Sequence, residues 1–200
     1  MNGGVNKMLK RVIPFAHHLI EQAVQPGDCV VDATCGNGHD TVMLSRATSD
    51  LGKVYAFDIQ AEAIENTKKR LADESITNVE LIHDSHDRIG YYIDQTENQQ
   101  IGAAIFNLGY LPGSDKSVIT KPNHTIDAIQ QIIDRLKLGG LIVCVVYHGH
   151  PGGKEEKDAL LEYVKQLDQK IFNCISYGFI NQKNNPPFVI AIEKKSDRLN

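Results

Sequence analysis

The fold class of this chain is decided by one stretch of sequence, Val30-Val31-Asp32-Ala33-Thr34-Cys35-Gly36-Asn37-Gly38-His39-Asp40-Thr41. Its apolar start predicts a short buried strand, its glycines predict a tight turn, and the residues after them predict the beginning of a helix. Glycine has no Cβ and accepts positive φ, so the backbone N–H groups of such a loop can approach a cofactor closely. A tight strand-to-helix turn that binds no ligand is the alternative interpretation.

The type of cofactor is indicated by two residues of this stretch. Asp32 places a carboxylate before the turn, which suits a ligand with an amino group and a sulfonium better than one with a pyrophosphate. The dinucleotide-binding fingerprint has a third glycine where this chain has Thr41. The loop therefore favours S-adenosylmethionine (SAM) over NAD. Its candidate cofactor-binding residues are Asp32, Thr34, Gly36, Asn37, Gly38, Asp40 and Thr41.

Length and composition are those of an ordinary globular protein. The chain has 200 residues, 42% hydrophobic and 23% charged, which predicts one domain over residues 1–200. No apolar run is long enough to span a bilayer and the first residues contain no signal-peptide core, so we expect a cytoplasmic location. The cysteines have no C-x-x-C spacing, which predicts reduced packing residues rather than a disulfide or zinc framework. They are Cys29, Cys35, Cys144 and Cys174.

The formal net charge of −4 provides no global attraction to nucleic acid. A local basic face would be sufficient for an RNA substrate that must also be released. Scattered, solvated cations are the alternative interpretation. The candidate basic residues are Lys7, Lys10, Arg11, Lys116, Lys121 and Lys183.

Apolar, β-rich runs alternate with stretches of helical period along nearly the whole chain, which predicts an α/β fold with a mostly parallel sheet covered on both faces. The predicted strands are Cys29–Ala33, Lys53–Asp58, Val79–His83, Ile101–Asn107, Leu141–Tyr147, Ile171–Phe179 and Phe188–Glu193. The predicted helices are Met8–Val24, His39–Thr48, Ala61–Asp73, His86–Tyr92, Asn123–Lys137 and Lys154–Leu167, with Gly139-Gly140 as the stop after the fifth. The segment between the last two strands is too short for a crossover, so this pair should be antiparallel. Seven strands with an antiparallel last pair form the pattern of class I methyltransferases, which are Rossmann-like.

Polar residues follow the second and third predicted strands, at the sheet edge where ligands bind in open α/β folds. Asp58-Ile59-Gln60 places a carboxylate about 20 residues beyond the glycines, where it can bind a ribose diol. Capping of the next helix is the alternative role for Asp58. After the third strand, Asp84, Ser85 and His86 are candidates for the adenine end of the cofactor, and an N-cap is the alternative role for Ser85. His83 and His86 lack the further ligands that a metal site needs, so no metal is predicted.

The fourth strand ends in a second informative motif. Asn107 and Tyr110 have the spacing of the Asn-Pro-Pro-Tyr motif of methyltransferases that act on amino groups, although Leu108-Gly109 replaces the prolines. In that motif the asparagine carbonyl accepts hydrogen bonds from the target N–H groups, and the aromatic ring stacks on the substrate base. Asn107 is therefore a candidate both for positioning the substrate and for contact with the cofactor. A turn is the alternative interpretation.

Histidines of two other segments are further candidates. After the fifth strand, His148 or His150 could act as a base or contact RNA phosphate, and a structural histidine in a glycine-rich loop is the alternative. On the first helix, His17 and His18 could cover the cofactor.

Four segments together resemble a small bacterial family of rRNA methylases. They are residues 32–41, residues 56–60, Asn107-Leu108-Gly109-Tyr110-Leu111-Pro112-Gly113 and Asn181-Gln182-Lys183-Asn184-Asn185-Pro186-Pro187-Phe188. The resemblance covers essentially the whole chain. It implies a SAM-dependent tRNA methyltransferase that converts 5-aminomethyl-2-thiouridine at the wobble position to its 5-methylaminomethyl form.

The resemblance also implies roles for individual residues. Asn107 and Tyr110 would position the target amine, and Asp115 would contact it. His148 or Asp115 would serve as the base, and Lys116, Lys121 and Lys183 would contact anticodon-loop phosphates. The family contains dimers, and a homodimer would enlarge the RNA surface. The competing hypotheses are a methyltransferase of rRNA or of a small-molecule amine, a Rossmann oxidoreductase, and an RNA-binding module that binds cofactor without catalysis.

Overall fold

The structure, a computed structural model, describes residues 8–93, 100–109 and 122–197. Five of the predicted functional residues lie outside these ranges: Lys7, Tyr110, Asp115, Lys116 and Lys121.

Strands and helices alternate in the order that the sequence predicts. The strands are β1 (Cys29–Asp32), β2 (Lys53–Asp58), β3 (Val79–His83), β4 (Ile101–Leu108), β5 (Leu136–Val146), β6 (Phe172–Tyr177) and β7 (Phe188–Lys194). The helices are α1 (Val12–Ala23), α2 (His39–Thr48), α3 (Ala61–Asp73), α4 (Ile89–Tyr92), α5 (Pro122–Ile133) and α6 (Gly153–Lys165). A 3₁₀ turn at His86–Arg88 precedes α4, so the predicted helix His86–Tyr92 is formed in two parts.

The strands form one seven-stranded sheet in the order β3-β2-β1-β4-β5-β7-β6. The first five in this order pair in parallel, whereas β7 is antiparallel to β5 and to β6. This confirms the predicted fold class with its antiparallel last pair. The strand order reverses between β1 and β4, and the carboxyl ends of these two strands flank the crevice where open α/β folds bind ligands.

The sheet is covered on both faces, because alternate residues of each strand point to opposite sides. Along β4, Ile105 joins a core cluster with Ile20 of α1 and Leu44 of α2. Its neighbour Phe106 joins the cluster on the other face, with Ile129 of α5 and residues of α4 and α6. Burial on both sides explains why β4 and the second half of β5 are almost uniformly apolar.

The end of α5 differs from the prediction. The helix stops at Ile133, and Gly139-Gly140 lies within β5 rather than at a helix stop. Leu136 has helical spacing from Ile133, but it is fully buried because it begins β5 opposite Ile101. Gly139 takes φ +75°, and the register moves from Ile101 opposite Leu136 to Ala103 opposite Leu141. The glycine pair is therefore a bulge in a strand.

The four cysteines are free thiols, and Cys29, Cys35 and Cys144 are buried as expected. The expectation that Cys174 is a core residue is wrong, because it lies on the edge strand β6 and is exposed. Within the described ranges, no helix has both the length and the apolar character needed to cross a membrane.

Candidate active site

Asp32, at the end of β1, fixes the glycine loop, residues 34–38, in place. Its side chain is fully buried, accepts a hydrogen bond from Thr41 Oγ1 at 2.6 Å and accepts another from the Thr34 N–H at 3.2 Å. Burial, together with the nearby carboxylate of Asp40, raises the pKa of Asp32 to about 8. The carboxyl group therefore ties both ends of the loop together, whereas the sequence suggested direct contact with a cationic ligand.

The glycine loop is fixed from the side by Asp58 of β2. One carboxylate oxygen accepts from the Gly36 N–H at 3.0 Å, and the other accepts from the Gln60 N–H at 2.9 Å. Burial raises the pKa of Asp58, against the effect of these hydrogen bonds. The N-cap of α3 is Gln60, which makes no side-chain capping bond. Asp58 therefore joins the loop to the end of β2, and the adjacent Ile59 leaves an apolar side chain 49% exposed.

Helix α3 supports the same loop from behind, which the sequence analysis missed. Thr67 is fully buried and donates from Oγ1 to Gly36 O at 3.0 Å. Arg70 Nε donates to Asn37 O at 2.6 Å. Thr67 and Arg70 lie three residues apart and therefore on one face of the helix. This spacing of two polar residues is the feature of the sequence from which their role could have been predicted.

Three polar side chains, one each from α1, α2 and β4, form a hydrogen-bonded chain beside the glycine loop. His17 Nε2 lies 2.5 Å from one oxygen of Asp40, and the other oxygen accepts a hydrogen bond from Asn107 Nδ2. The Asn107 N–H donates to Thr34 Oγ1 at 2.7 Å, so the loop also fixes the backbone of Asn107. The hydrogen bond to Asp40 raises the pKa of His17, which favours the charged imidazolium.

This chain determines the orientation of the Asn107 amide. An ionised carboxylate only accepts hydrogen bonds, so the NH2 group of Asn107 must face Asp40. The carbonyl oxygen of Asn107 is consequently directed away from Asp40. No residue within the described ranges donates to that oxygen.

Residues at the end of β3 are placed differently from one another. The carboxylate of Asp84 already has partners within the protein. It accepts hydrogen bonds from Tyr92 Oη at 2.7 Å and from the Ser85 N–H at 2.8 Å, and it forms an ion pair with Arg88 at 2.8 Å. The hydrogen bond from Tyr92 lowers the pKa of Asp84. Ser85 occupies the N-cap position of the 3₁₀ turn but makes no capping bond.

His86 is a buried ring with one unpaired nitrogen. Its Nδ1 donates to Ala33 O at 3.1 Å, which leaves Nε2 as an acceptor. Nε2 is buried and has no hydrogen-bond partner among the residues placed by the structure. Burial lowers the pKa of His86, so the ring stays neutral. The ring is thus a buried hydrogen-bond acceptor next to Ala33, the residue that leads into the glycine loop.

The end of β5 lies beside that of β4, because Asn107 is in register with Val145. His148 Nε2 donates to Pro186 O at 3.2 Å, and its ring meets Phe188 edge to face at 5.7 Å between centroids. His150 Nε2 donates to Tyr147 O at 2.8 Å. Both histidines therefore also hold loops together, as the structural alternative predicted.

The chain matches the family model described as "Putative rRNA methylase" over residues 54–193, more than half of its length. The chain belongs to this family. A relative from Arabidopsis thaliana, described as a chloroplastic tRNA (mnm(5)s(2)U34)-methyltransferase, is 38% identical over 197 residues, 94% of this chain and 71% of that protein.

Two solved structures are also similar to this member of the rRNA methylase family. A structure from Clostridium thermocellum, named as a putative rRNA-methylase, is 43% identical with a TM-score of 0.90, covering 94% of this chain and 100% of that one. A Streptococcus mutans structure, named as a putative methyltransferase in complex with S-adenosylhomocysteine (SAH), is 46% identical with a TM-score of 0.85. That match covers 94% of this chain and 99% of the other. The protein is accordingly a SAM-dependent methyltransferase, as the sequence predicted, and the oxidoreductase hypothesis is wrong.

The residues present fit SAM on chemical grounds. The Asp58 carboxylate suits a ribose diol, the exposed Ile59 suits the flat adenine, and the unpaired His86 Nε2 is a buried acceptor. Asp40 and His17 present opposite charges that suit a zwitterionic amino-acid group. Family membership and the chemistry of these side chains both point to SAM as the cofactor.

Gly38 offers a test of how closely the loop must pack on α3. It has φ +78°, and an added Cβ would lie 3.0 Å from Thr67 Cγ2 and Oγ1. We expect Gly38→Ala to lower the affinity for SAH at least about tenfold, because it displaces the loop. Gly27→Ala is the matched control, since Gly27 has φ +93° with no atom within 4 Å of an added Cβ. Both variants should lose about 1–2 kcal/mol of stability from the backbone conformation. Equal SAH affinity of the two variants, by calorimetry, would contradict the prediction.

Proposed function

We propose that this methyltransferase transfers the methyl group of SAM to the primary amine of 5-aminomethyl-2-thiouridine at the tRNA wobble position. The observation that carries the proposal is the fixed amide of Asn107, which leaves a carbonyl oxygen as acceptor beside the cofactor loop. An acceptor of this kind binds the N–H groups of an amine and leaves its lone pair free for the methyl carbon. The similarity to the Arabidopsis tRNA methyltransferase supports the same substrate.

The amine must be neutral before it can attack. A lone carboxylate near the amine would stabilise its protonated form, because opposite charges favour one another. Here the carboxylate of Asp40 is paired with His17 at 2.5 Å, and the hydrogen bond raises the pKa of His17. The pair offsets most of the negative charge, so it supports Asn107 without trapping the substrate as an ammonium. As predicted from the sequence, Tyr110 helps to position the amine, Asp115 contacts it, and His148 or Asp115 serves as the base under this proposal.

The cofactor supplies a methyl group on a positively charged sulfur, and positioning provides most of the rate enhancement in such a displacement. Under this proposal Asp58 and Gln60 hold the ribose, Ile59 packs on the adenine, and His86, Ser85 and Asp84 line its polar edge. The backbone of residues 34–38 holds the amino-acid end, with Asp40 and Thr41 at the start of α2. Asp32 acts through this loop.

RNA would be held by a local basic face. Lys10, Arg11 and Lys183 are exposed, and Lys183 lies in the segment that contacts the His148 loop. The RNA contacts of Lys7, Lys116 and Lys121 stay predictions, and so does the homodimer. The cytoplasmic location also stays a prediction, and the Arabidopsis relative is described as chloroplastic.

The decisive experiment compares tRNA bearing the wobble aminomethyl group with the same tRNA lacking it. We expect the purified enzyme and SAM to methylate only the first, adding one methyl group to the wobble nucleoside in mass spectrometry. Ribosomal RNA and free alkylamines serve as competing substrates. Methylation of either of these in preference to the amine-bearing tRNA would overturn the proposal.

A further inference from the structure

The segment 181–187, between β6 and β7, contains an unusual backbone conformation. Asn184 has φ +65° and Asn185 has φ +51°, so two consecutive residues with a Cβ are left-handed. L-residues adopt this region at a cost of about 1–2 kcal/mol each, which asparagine reduces only partly. Strain of this kind persists when the surroundings enforce it, and it is concentrated at functional sites.

The surroundings that enforce it belong to the proposed active site. His148 Nε2 donates to Pro186 O at 3.2 Å, and a Cβ added at Gly149 would lie 3.6 Å from Asn185 Cβ. The His148 loop follows β5 directly, and the Tyr147 N–H donates to Leu108 O at 3.0 Å. Segment 181–187 is thereby attached to the carboxyl ends of β5 and β4, next to Asn107.

Internal contacts of the two asparagines do not account for the strain. Both side chains are exposed, and neither amide has a hydrogen-bond partner within the part of the chain that the structure describes. The fold therefore holds two free amide groups on a strained backbone at the edge of the site.

The chemistry of the segment favours bases over phosphates. Its exposed polar residues include one cation, Lys183, against four amides. Each amide carries donors and acceptors together, which matches the edges of unpaired bases in single-stranded RNA loops. The four amide residues are Asn181, Gln182, Asn184 and Asn185.

From this geometry we infer that Asn184 and Asn185 form a nucleobase-reading site for the nucleotide next to the methylated one. The inference rests on the proposed tRNA substrate. The left-handed backbone presents the two amides in a fixed arrangement, so little conformational entropy is lost when RNA binds. His148 has a positioning role here, because it holds the segment through Pro186.

The test uses glycine, which adopts positive φ without strain and removes the amide. We expect the double variant Asn184→Gly/Asn185→Gly to bind an anticodon stem-loop RNA about tenfold or more weakly, by fluorescence anisotropy. Discrimination between stem-loops that differ only beside the wobble nucleotide should shrink in the same variant. Ser75→Gly is the matched control, because Ser75 is exposed with φ +56° and lies after α3.

Salt dependence separates base contacts from phosphate contacts. The slope of log affinity against log salt should be unchanged in the double glycine variant, whereas Lys183→Gln should reduce it by about 0.7 to 0.9. Stem-loop affinity equal to that of the Ser75→Gly control, or a reduced slope in the double variant, would overturn the inference. If the wild-type protein binds the stem-loop with this discrimination but leaves its amine unmethylated, the proposed function fails and the base-reading site stands.

Discussion

Replacing Asn107 with alanine is expected to lower kcat for methylation of the amine-bearing tRNA by about 100-fold or more. The substitution removes the acceptor that orients the amine. It also removes the donor to Asp40, while the backbone N–H of residue 107 can still bind Thr34 Oγ1. The measurement is the single-turnover rate at saturating SAM, with SAH affinity determined by calorimetry.

Asn173→Ala is the matched control for the Asn107 experiment. Asn173 is exposed on the edge strand β6, where its side-chain amide donates to Glu193 Oε2 at 3.0 Å. We expect the control to retain the wild-type rate. A kcat for Asn107→Ala within threefold of wild type would show that Asn107 does not orient the amine. A large loss of SAH affinity with unchanged kcat would assign Asn107 to the cofactor alone.

The second large effect concerns Asp32 and the pH dependence of stability. The pKa of Asp32 is raised from 3.8 to about 8 in the folded protein, mainly by burial and by Asp40. Between these values the folded state holds a proton that the unfolded state releases, so the free energy of unfolding falls as pH rises. For one proton the slope is at most about 1.4 kcal/mol per pH unit. The decrease should be visible from pH 5 to 8 in urea unfolding of the protein without cofactor.

Asp32→Asn should flatten this dependence and be more stable than wild type at pH 8. An amide of the same shape can still accept from the Thr34 N–H and still bond to Thr41, without the penalty of a buried charge. His17, whose pKa is also raised, lowers stability in the same direction above its unfolded pKa of 6.5. The hydrogen bond to Asp40, which is the largest cause of the raised pKa of His17, is present in both proteins, so the difference between their pH profiles reports mainly on Asp32. Parallel pH profiles would contradict a raised pKa at Asp32.

The behaviour of Asp32 shows where sequence reasoning reaches its limit. Its position before Gly36 correctly indicated SAM as the cofactor, since that inference depends on local order along the chain. The sequence did not indicate that the side chain is fully buried, because burial depends on how α2 packs against β1. Asp58 is a similar case. Its distance along the chain from the glycines indicated a residue of the same site, but only the structure shows that its carboxylate accepts a hydrogen bond from the Gly36 N–H.

Leu136 and His17 illustrate the same limit in different ways. Leu136 continued the helical period of α5, and the pairing with Ile101 across the sheet overrode this local pattern. His17 lies 23 residues before Asp40, so no spacing rule could have paired them, and only the packing of α1 beside α2 brings them together.

The sequence by itself determined the order of strands and helices, the glycine turn, the antiparallel last pair and the cofactor. These follow from periodicity, turn chemistry and chain length, which act between residues close in sequence. Only the tertiary structure decided the His17–Asp40–Asn107 chain and the burial of Asp32. Each of these arises where distant segments meet at the carboxyl edge of the sheet, and contacts of this kind are set by packing rather than by local sequence.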